Sequence, residues 1–262
     1  PLTTEGKGTP MFLFHPVGGH VVCYQSLAKH LSGKRPLYAV EAITGRNTTQ
    51  LPTVESMAAE YLRFIRKVAP RGPYIMAGWS FGGLVAFEVA GLCITQGEPV
   101  EKLVLLDSVA DSSMARRIIR EDEAGMLARL LQEQFPVDEK ELRIHTGQER
   151  IDYLIELGMK YGLLPSGFSV EDMRGLLHTY HVNTLAASRY EPDSAPLQGL
   201  LIRPETVSRS TLNVPDDPLQ GWGNILLGGV DLKWIPGSHE SMLMEQTTPE
   251  LAGIIEAWLE AK

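Results

Sequence analysis

The stretch Pro73-Tyr74-Ile75-Met76-Ala77-Gly78-Trp79-Ser80-Phe81-Gly82-Gly83-Leu84-Val85-Ala86-Phe87-Glu88-Val89-Ala90 decides the fold. Its first residues form a short apolar run that reads as a buried strand. The residues from Gly83 onward carry the periodicity of a helix with one apolar face. Between them lies Gly78-Trp79-Ser80-Phe81-Gly82, a G-x-S-x-G run. At a strand-to-helix junction this is a nucleophile elbow, with the serine on a sharp, strained turn and its hydroxyl exposed. The flanking glycines leave room for the turn and for neighbouring strands. Without such flanks the pattern is common by chance; with them it marks Ser80 as a candidate nucleophile.

Outward from this run, short apolar strands alternate with amphipathic helices. Strands are predicted over Met11 to His15, Pro36 to Ala42, Tyr74 to Gly78, Leu103 to Asp107, Gly199 to Arg203 and Asp231 to Ile235. Helices are predicted over Val22 to Leu31, Val54 to Val68, Phe81 to Gln96 and Pro249 to Leu259. This rhythm implies a doubly wound, mostly parallel sheet, which binds ligands at the carboxyl ends of its strands. Between Asp107 and Gly199 no strand pattern occurs. Helical segments there (Glu121 to Phe135, Glu149 to Tyr161, Val170 to Tyr190) predict a lid over roughly residues 111–196. Residues 1–10 read as a linker and 11–262 as a single α/β domain. A chain that opens on Pro1 is expected to be a domain cut from something longer.

With 262 residues and 44% hydrophobic side chains, the chain suffices for one large core. No run approaches the roughly 20 apolar residues needed to span a bilayer, and the first ten residues lack a signal-peptide pattern. The two cysteines, Cys23 and Cys93, sit in apolar helical patterns, so a reducing, cytoplasmic setting is expected. A net charge of −8 argues against nucleic acid or an anionic membrane as partner.

A serine needs a base to take its proton and an acid to orient the base. Of the seven histidines, His239 follows the last strand in Gly237-Ser238-His239-Glu240, where this architecture delivers a histidine to the carboxyl edge of the sheet. For the acid, Asp107 ends the strand after the nucleophile; Glu205, Asp216 and Asp217 lie just past the following one. The oxyanion of a tetrahedral intermediate needs donors. The elbow offers the N–H of Phe81, and the loop His15-Pro16-Val17-Gly18-Gly19 offers that of Val17. His15 stands where it can touch the pocket. His178 and His181, three apart on a predicted helix, lack a third metal ligand at suitable spacing and read as exposed or lid-facing.

Together these residues resemble a thioesterase domain of the α/β-hydrolase superfamily, the kind that terminates nonribosomal peptide and polyketide assembly lines (type I). The resemblance rests on Phe-Leu-Phe-His-Pro-Val-Gly-Gly at 12–19, Gly-Trp-Ser-Phe-Gly-Gly at 78–83, Leu-Val-Leu-Leu-Asp at 103–107 and Gly-Ser-His at 237–239. It implies Asp107 as the acid and a helical lid after that strand. It also implies an acyl or peptidyl thioester presented on the phosphopantetheine arm of a carrier domain in the same polypeptide. The chain would pass through an acyl-Ser80 intermediate to hydrolysis or macrocyclisation, and no metal or redox cofactor is required.

Lid residues Met114, Met126, Leu130, Leu154, Met159, Leu176 and Tyr180, with Trp79, are the candidate pocket lining. Carrier domains of this kind are usually acidic, so a basic patch should receive them; Arg116, Arg117 and Arg120 near the predicted pocket mouth are preferred over Arg63, Arg66, Lys67 and Arg71. Three other readings stay open. They are a discrete editing (type II) thioesterase, a carboxylesterase or lipase without a carrier partner, and a catalytically dead docking module.

Overall fold

Six apolar runs become the six strands of one sheet in the computed structural model, which describes residues 1–43, 51–131, 137–162, 164–206 and 217–261. The strands are β1 (Met11–Phe14), β2 (Leu37–Val40), β3 (Tyr74–Trp79), β4 (Val100–Leu106), β5 (Gly199–Pro204) and β6 (Val230–Ile235). Their spatial order is β2-β1-β3-β4-β5-β6, and every neighbouring pair is parallel. The order reverses between β1 and β3, which opens a crevice at the carboxyl edge beside the elbow.

The even and odd residues of the central strands build two cores. Helices α1 (Gln25–Leu31) and α9 (Thr248–Glu260) pack with Met11, Leu13, Ile75, Ala77, Val104 and Leu106 on one face. Helices α2 (Val54–Val68) and α3 (Phe81–Thr95) pack with Phe12, Phe14, Tyr74, Met76, Leu103 and Leu105 on the other. Burial on both faces explains why these strands read as continuous apolar runs with no polar alternation.

Residues 1–10 have a linker's composition, yet they lie along the sheet. Thr3 and Leu37 exchange both backbone hydrogen bonds (3.2 and 2.9 Å), and Leu2 packs against the α1/α9 core. A sheet edge leaves N–H and C=O groups unpaired, and this segment pairs part of the β2 edge.

The insertion between β4 and β5 is helical among the described residues, as predicted. It comprises α4 (Ser113–Ile118), α5 (Glu123–Leu131), α6 (Glu139–Ile144), α7 (Gln148–Lys160) and α8 (Val170–Arg189). The short α4 and α6 escaped sequence reading because fewer than two turns show no periodicity; Phe135, the predicted end of α5, lies outside the described residues. Ala124, Leu127, Leu142, Ile151, Leu154 and Met173 form a separate small core within the insertion. The second half of α8 belongs instead to the main core through Val182, Ala186, Ala187 and Tyr190. Arg116 ties α4 to the end of α8, donating to the Ser188 carbonyl (3.0 Å) and to Glu191 (2.6 Å).

His15, immediately after β1, is fully buried with Nε2 2.7 Å from the Tyr61 hydroxyl of α2. Burial pushes its pKa down to about 4, outweighing the opposing pull of the Pro16 carbonyl and of Glu41. The folded chain therefore keeps His15 neutral where the unfolded chain, with a pKa near 6.5, takes up a proton. Its contribution is intact above pH ~6.5 and falls by about 3 kcal/mol as pH drops toward 4. Urea denaturation of wild type and His15→Asn at pH 7, 6 and 5 should show the wild-type advantage shrinking on acidification. An advantage unchanged between pH 7 and 5 would refute this.

Candidate active site

Ser80 joins β3 to α3 with φ 56° and ψ −123°, a conformation L-residues rarely adopt. The turn is that tight because helix and strand nearly touch. A Cβ on Gly78 would lie 2.1 Å from the Gly82 carbonyl, and one on Gly82 would lie 2.3 Å from the Phe14 carbonyl of β1. Hydrogen bonds pin both sides of the serine. Its own N–H donates to Leu106 of β4 (2.9 Å), and the Trp79 N–H donates to the Tyr24 hydroxyl (2.9 Å). The buried Tyr24 in turn donates to the Phe14 carbonyl (2.6 Å), fastening the elbow to the end of β1. Phe81 opens α3, so its N–H has no intrahelical acceptor and is available to a ligand.

Asp107 directly follows β4 and is 5% exposed, with φ 42° and its N–H donated to Ile202 of β5 (2.8 Å). Its Oδ2 accepts from Nδ1 of His239 at 2.7 Å. A carboxylate can only accept, so Nδ1 carries the proton and Nε2 keeps its lone pair as a base. The His239 ring lies 4.9 Å from the indole of Trp79, the residue preceding Ser80. Because all six strands are parallel, the loops after β1, β3, β4 and β6 converge on one edge, bringing His15 to Gly19, Ser80, Asp107 and His239 to the same end of the sheet.

Two of the alternative acids, Glu205 and Asp217, are placed elsewhere or already engaged. Asp217 caps its own turn, accepting from the N–H groups of Leu219 (2.9 Å) and Gly221 (2.7 Å). Glu205 is exposed beyond β5, and Asp216 lies outside the described residues.

Sequence reading missed Gln220. Its side-chain amide donates to Asp107 Oδ1 (3.1 Å) from a backbone at φ 51°, and the residue is 2% exposed. Arg203 Nε stands 3.9 Å from the same oxygen. In the sequence, Asp217-Pro218-Leu219-Gln220-Gly221 reads only as a turn; no local signal reveals that it closes over Asp107.

Trp79 flanks His239, so part of its surface is committed to that imidazole. Met114 is half-buried on α4, Met126 and Tyr180 are buried on α5 and α8, and Met159 is 43% exposed at the end of α7. Leu154 and Leu176 belong to or pack against the insertion's own core, while the side chain of Leu130 lies outside those described. Arg116, expected at a docking patch, is engaged with α8, and Arg117 is exposed on the same helix. His178 and His181 are exposed, and among the described residues no three His, Cys, Asp or Glu side chains are grouped to hold a metal. No described helix is long and apolar enough to cross a membrane.

Comparison with known proteins agrees with this fold. The chain is 27% identical over 267 residues to a dimodular nonribosomal peptide synthase of Bacillus subtilis (strain 168), covering 99% of this chain and 11% of that relative. A four-domain nonribosomal peptide synthetase, holo-AB3403 bound to AMP and glycine, superposes with a TM-score of 0.81 at 24% identity, covering 99% of this chain and 20% of that one. The NocB thioesterase domain in covalent complex with a fluorophosphonate nocardicin G analogue gives 0.66 at 25% identity, covering 98% of this chain and 96% of that one. The sequence model of the Thioesterase domain matches residues 9–259. On that match the chain belongs to the thioesterase domain family, and its relatives are nonribosomal peptide and polyketide synthases.

Proposed function

We propose that this domain releases an acyl or peptidyl chain from the phosphopantetheine thioester of a carrier domain through an acyl-Ser80 intermediate. The observation that carries the reading is the 2.7 Å His239–Asp107 hydrogen bond beside the elbow. The base is thereby oriented, and its conjugate acid is stabilised as it takes the Ser80 proton. Ser80 Oγ attacks the thioester carbonyl, and the oxyanion that forms accepts from the N–H groups of Phe81 and Val17. Each such donor lowers the barrier by roughly 3 kcal/mol. Collapse breaks the C–S bond, and the proton on His239 passes to the departing sulfur. A second nucleophile then attacks the acyl-Ser80 ester with His239 as its base. Water gives a free acid; an amine or hydroxyl within the chain gives a macrolactam or macrolactone.

The multidomain relatives support a carrier in the same polypeptide. Arg116 and Arg117 on α4 are the docking contacts, and Arg116 also braces α8. The half-buried and buried Met114, Met126 and Tyr180 are the better candidates to meet the acyl chain, and exposed Met159 the weaker one.

Intact mass spectrometry with acyl-N-acetylcysteamine and acyl-pantetheinyl-carrier substrates tests this. A mass increase equal to the acyl group is expected, faster from the carrier, and absent in Ser80→Ala, whose turnover should fall at least ~10⁴-fold. Labelling by simple oxygen esters and by no thioester would indicate the carboxylesterase reading instead.

The acid's support makes a separate prediction. Gln220→Leu removes a hydrogen bond to a charged group, worth about 1.5 kcal/mol, and should lower kcat/KM on the order of 10-fold. Gln220→Glu places a second carboxylate against Asp107 and should cost more. Unchanged kcat/KM in both variants would remove Gln220 from the site.

A further inference from the structure

The oxyanion loop is held by side chains that the relay of Ser80, His239 and Asp107 does not use. The Pro16 carbonyl accepts two hydrogen bonds, from Nδ1–H of His15 (2.8 Å) and from the Gly19 N–H (2.9 Å). The Pro16–Val17 peptide is trans, so its carbonyl and the Val17 N–H point in opposite directions within one plane. Fixing the carbonyl therefore fixes the aim of the N–H. The next peptide is held as well, because the Val17 carbonyl accepts from the Asn183 side-chain amide at 2.8 Å.

These partners are themselves constrained. A carbonyl cannot donate, so the His15 proton sits on Nδ1, and the Tyr61 hydroxyl donates to Nε2 at 2.7 Å. His15 is fully buried and Asn183 is 2% exposed. Asn183 stands on α8, which presses on the loop: a Cβ on Gly19 would lie 2.6 Å from Thr179 Cγ2. Two buried polar side chains, His15 next to the loop in sequence and Asn183 far from it, thus clamp both peptides on either side of the Val17 Cα.

We propose that His15 and Asn183 are positioning residues for the oxyanion donor, holding the Val17 N–H at the geometry the tetrahedral intermediate requires. Tyr61 selects the His15 tautomer, and Asn183 makes the lid helix α8 part of the oxyanion hole. The inference rests on the roles given above to Ser80 and Val17. A donor that engages only the developing oxyanion changes kcat and leaves KM nearly untouched. Misplacing one by about 1 Å costs on the order of 100-fold.

Isosteres separate positioning from packing. His15→Asn puts an amide N–H near the place of Nδ1–H and can still reach the Pro16 carbonyl; His15→Gln carries its amide to the place of Nε2 and meets Tyr61 instead. Both lose the buried ring. The measurements are kcat and KM for acyl-N-acetylcysteamine, the rate of Ser80 phosphonylation by a fluorophosphonate probe, and Tm. The expected result is that kcat and phosphonylation fall about 10- to 100-fold in His15→Gln and in Asn183→Leu, with KM within about 2-fold. His15→Asn should stay within about 3-fold of wild type despite a Tm loss like that of His15→Gln. Combining His15→Gln with Asn183→Leu should cost less than the product of the single losses, since both act on one N–H.

Equal kcat in His15→Asn and His15→Gln, or kcat losses that simply follow Tm, would overturn the proposal. Phosphonylation needs no carrier and no thioester, so wild type that labels at Ser80 without turning over thioesters would sink the substrate reading and still test the clamp. Wild type that neither turns over nor labels would overturn both.

Discussion

The turn at Ser80 is the constraint on which the rest of the site depends. A serine at φ 56° and ψ −123° costs on the order of 1–3 kcal/mol of backbone strain. It persists because its surroundings over-determine it. Two glycines let α3 press against β3 and the end of β1, and hydrogen bonds to Leu106 and Tyr24 hold the chain on either side. The product of this strain is a hydroxyl raised at the sheet edge with the first N–H groups of α3 beside it.

Electrostatics completes what the turn begins. A buried carboxylate is costly unless its oxygens are satisfied, and Asp107 accepts from His239 on one oxygen and from Gln220 on the other. That arrangement recruits three loops, after β4, β5 and β6, around a single charge. It also fixes the His239 tautomer and the orientation of its ring.

The insertion has two mechanical parts. Helices α5 to α7 and the start of α8 share a core of their own, whereas the second half of α8 is built into the main domain, and α8 touches the loop after β1 through Asn183 and Thr179. Helix α4 is fastened to the same end of α8 by Arg116. One side of the insertion therefore belongs to the main domain, and the other packs on its own core.

Much of this was legible in the order of residues. Strands buried on both faces announce themselves as apolar runs, and α2 matches its predicted bounds because fifteen residues display several helical repeats. The residues 78–82 declared the elbow because its geometry is local: the glycines and the serine lie within five positions. Asp107 and His239 were readable since each follows a strand that points it at the same edge. Gln220, Tyr24, Tyr61 and Asn183 were not, and the sequence did not reveal that Arg116 braces α8. Their roles arise from contacts across tens to more than a hundred residues, and a hydrogen bond between distant segments leaves no periodicity or motif in either. Sequence alone determined the family and which residues stand at the sheet's carboxyl edge; only the packing of loops and helices there decided which side chains hold those residues in place.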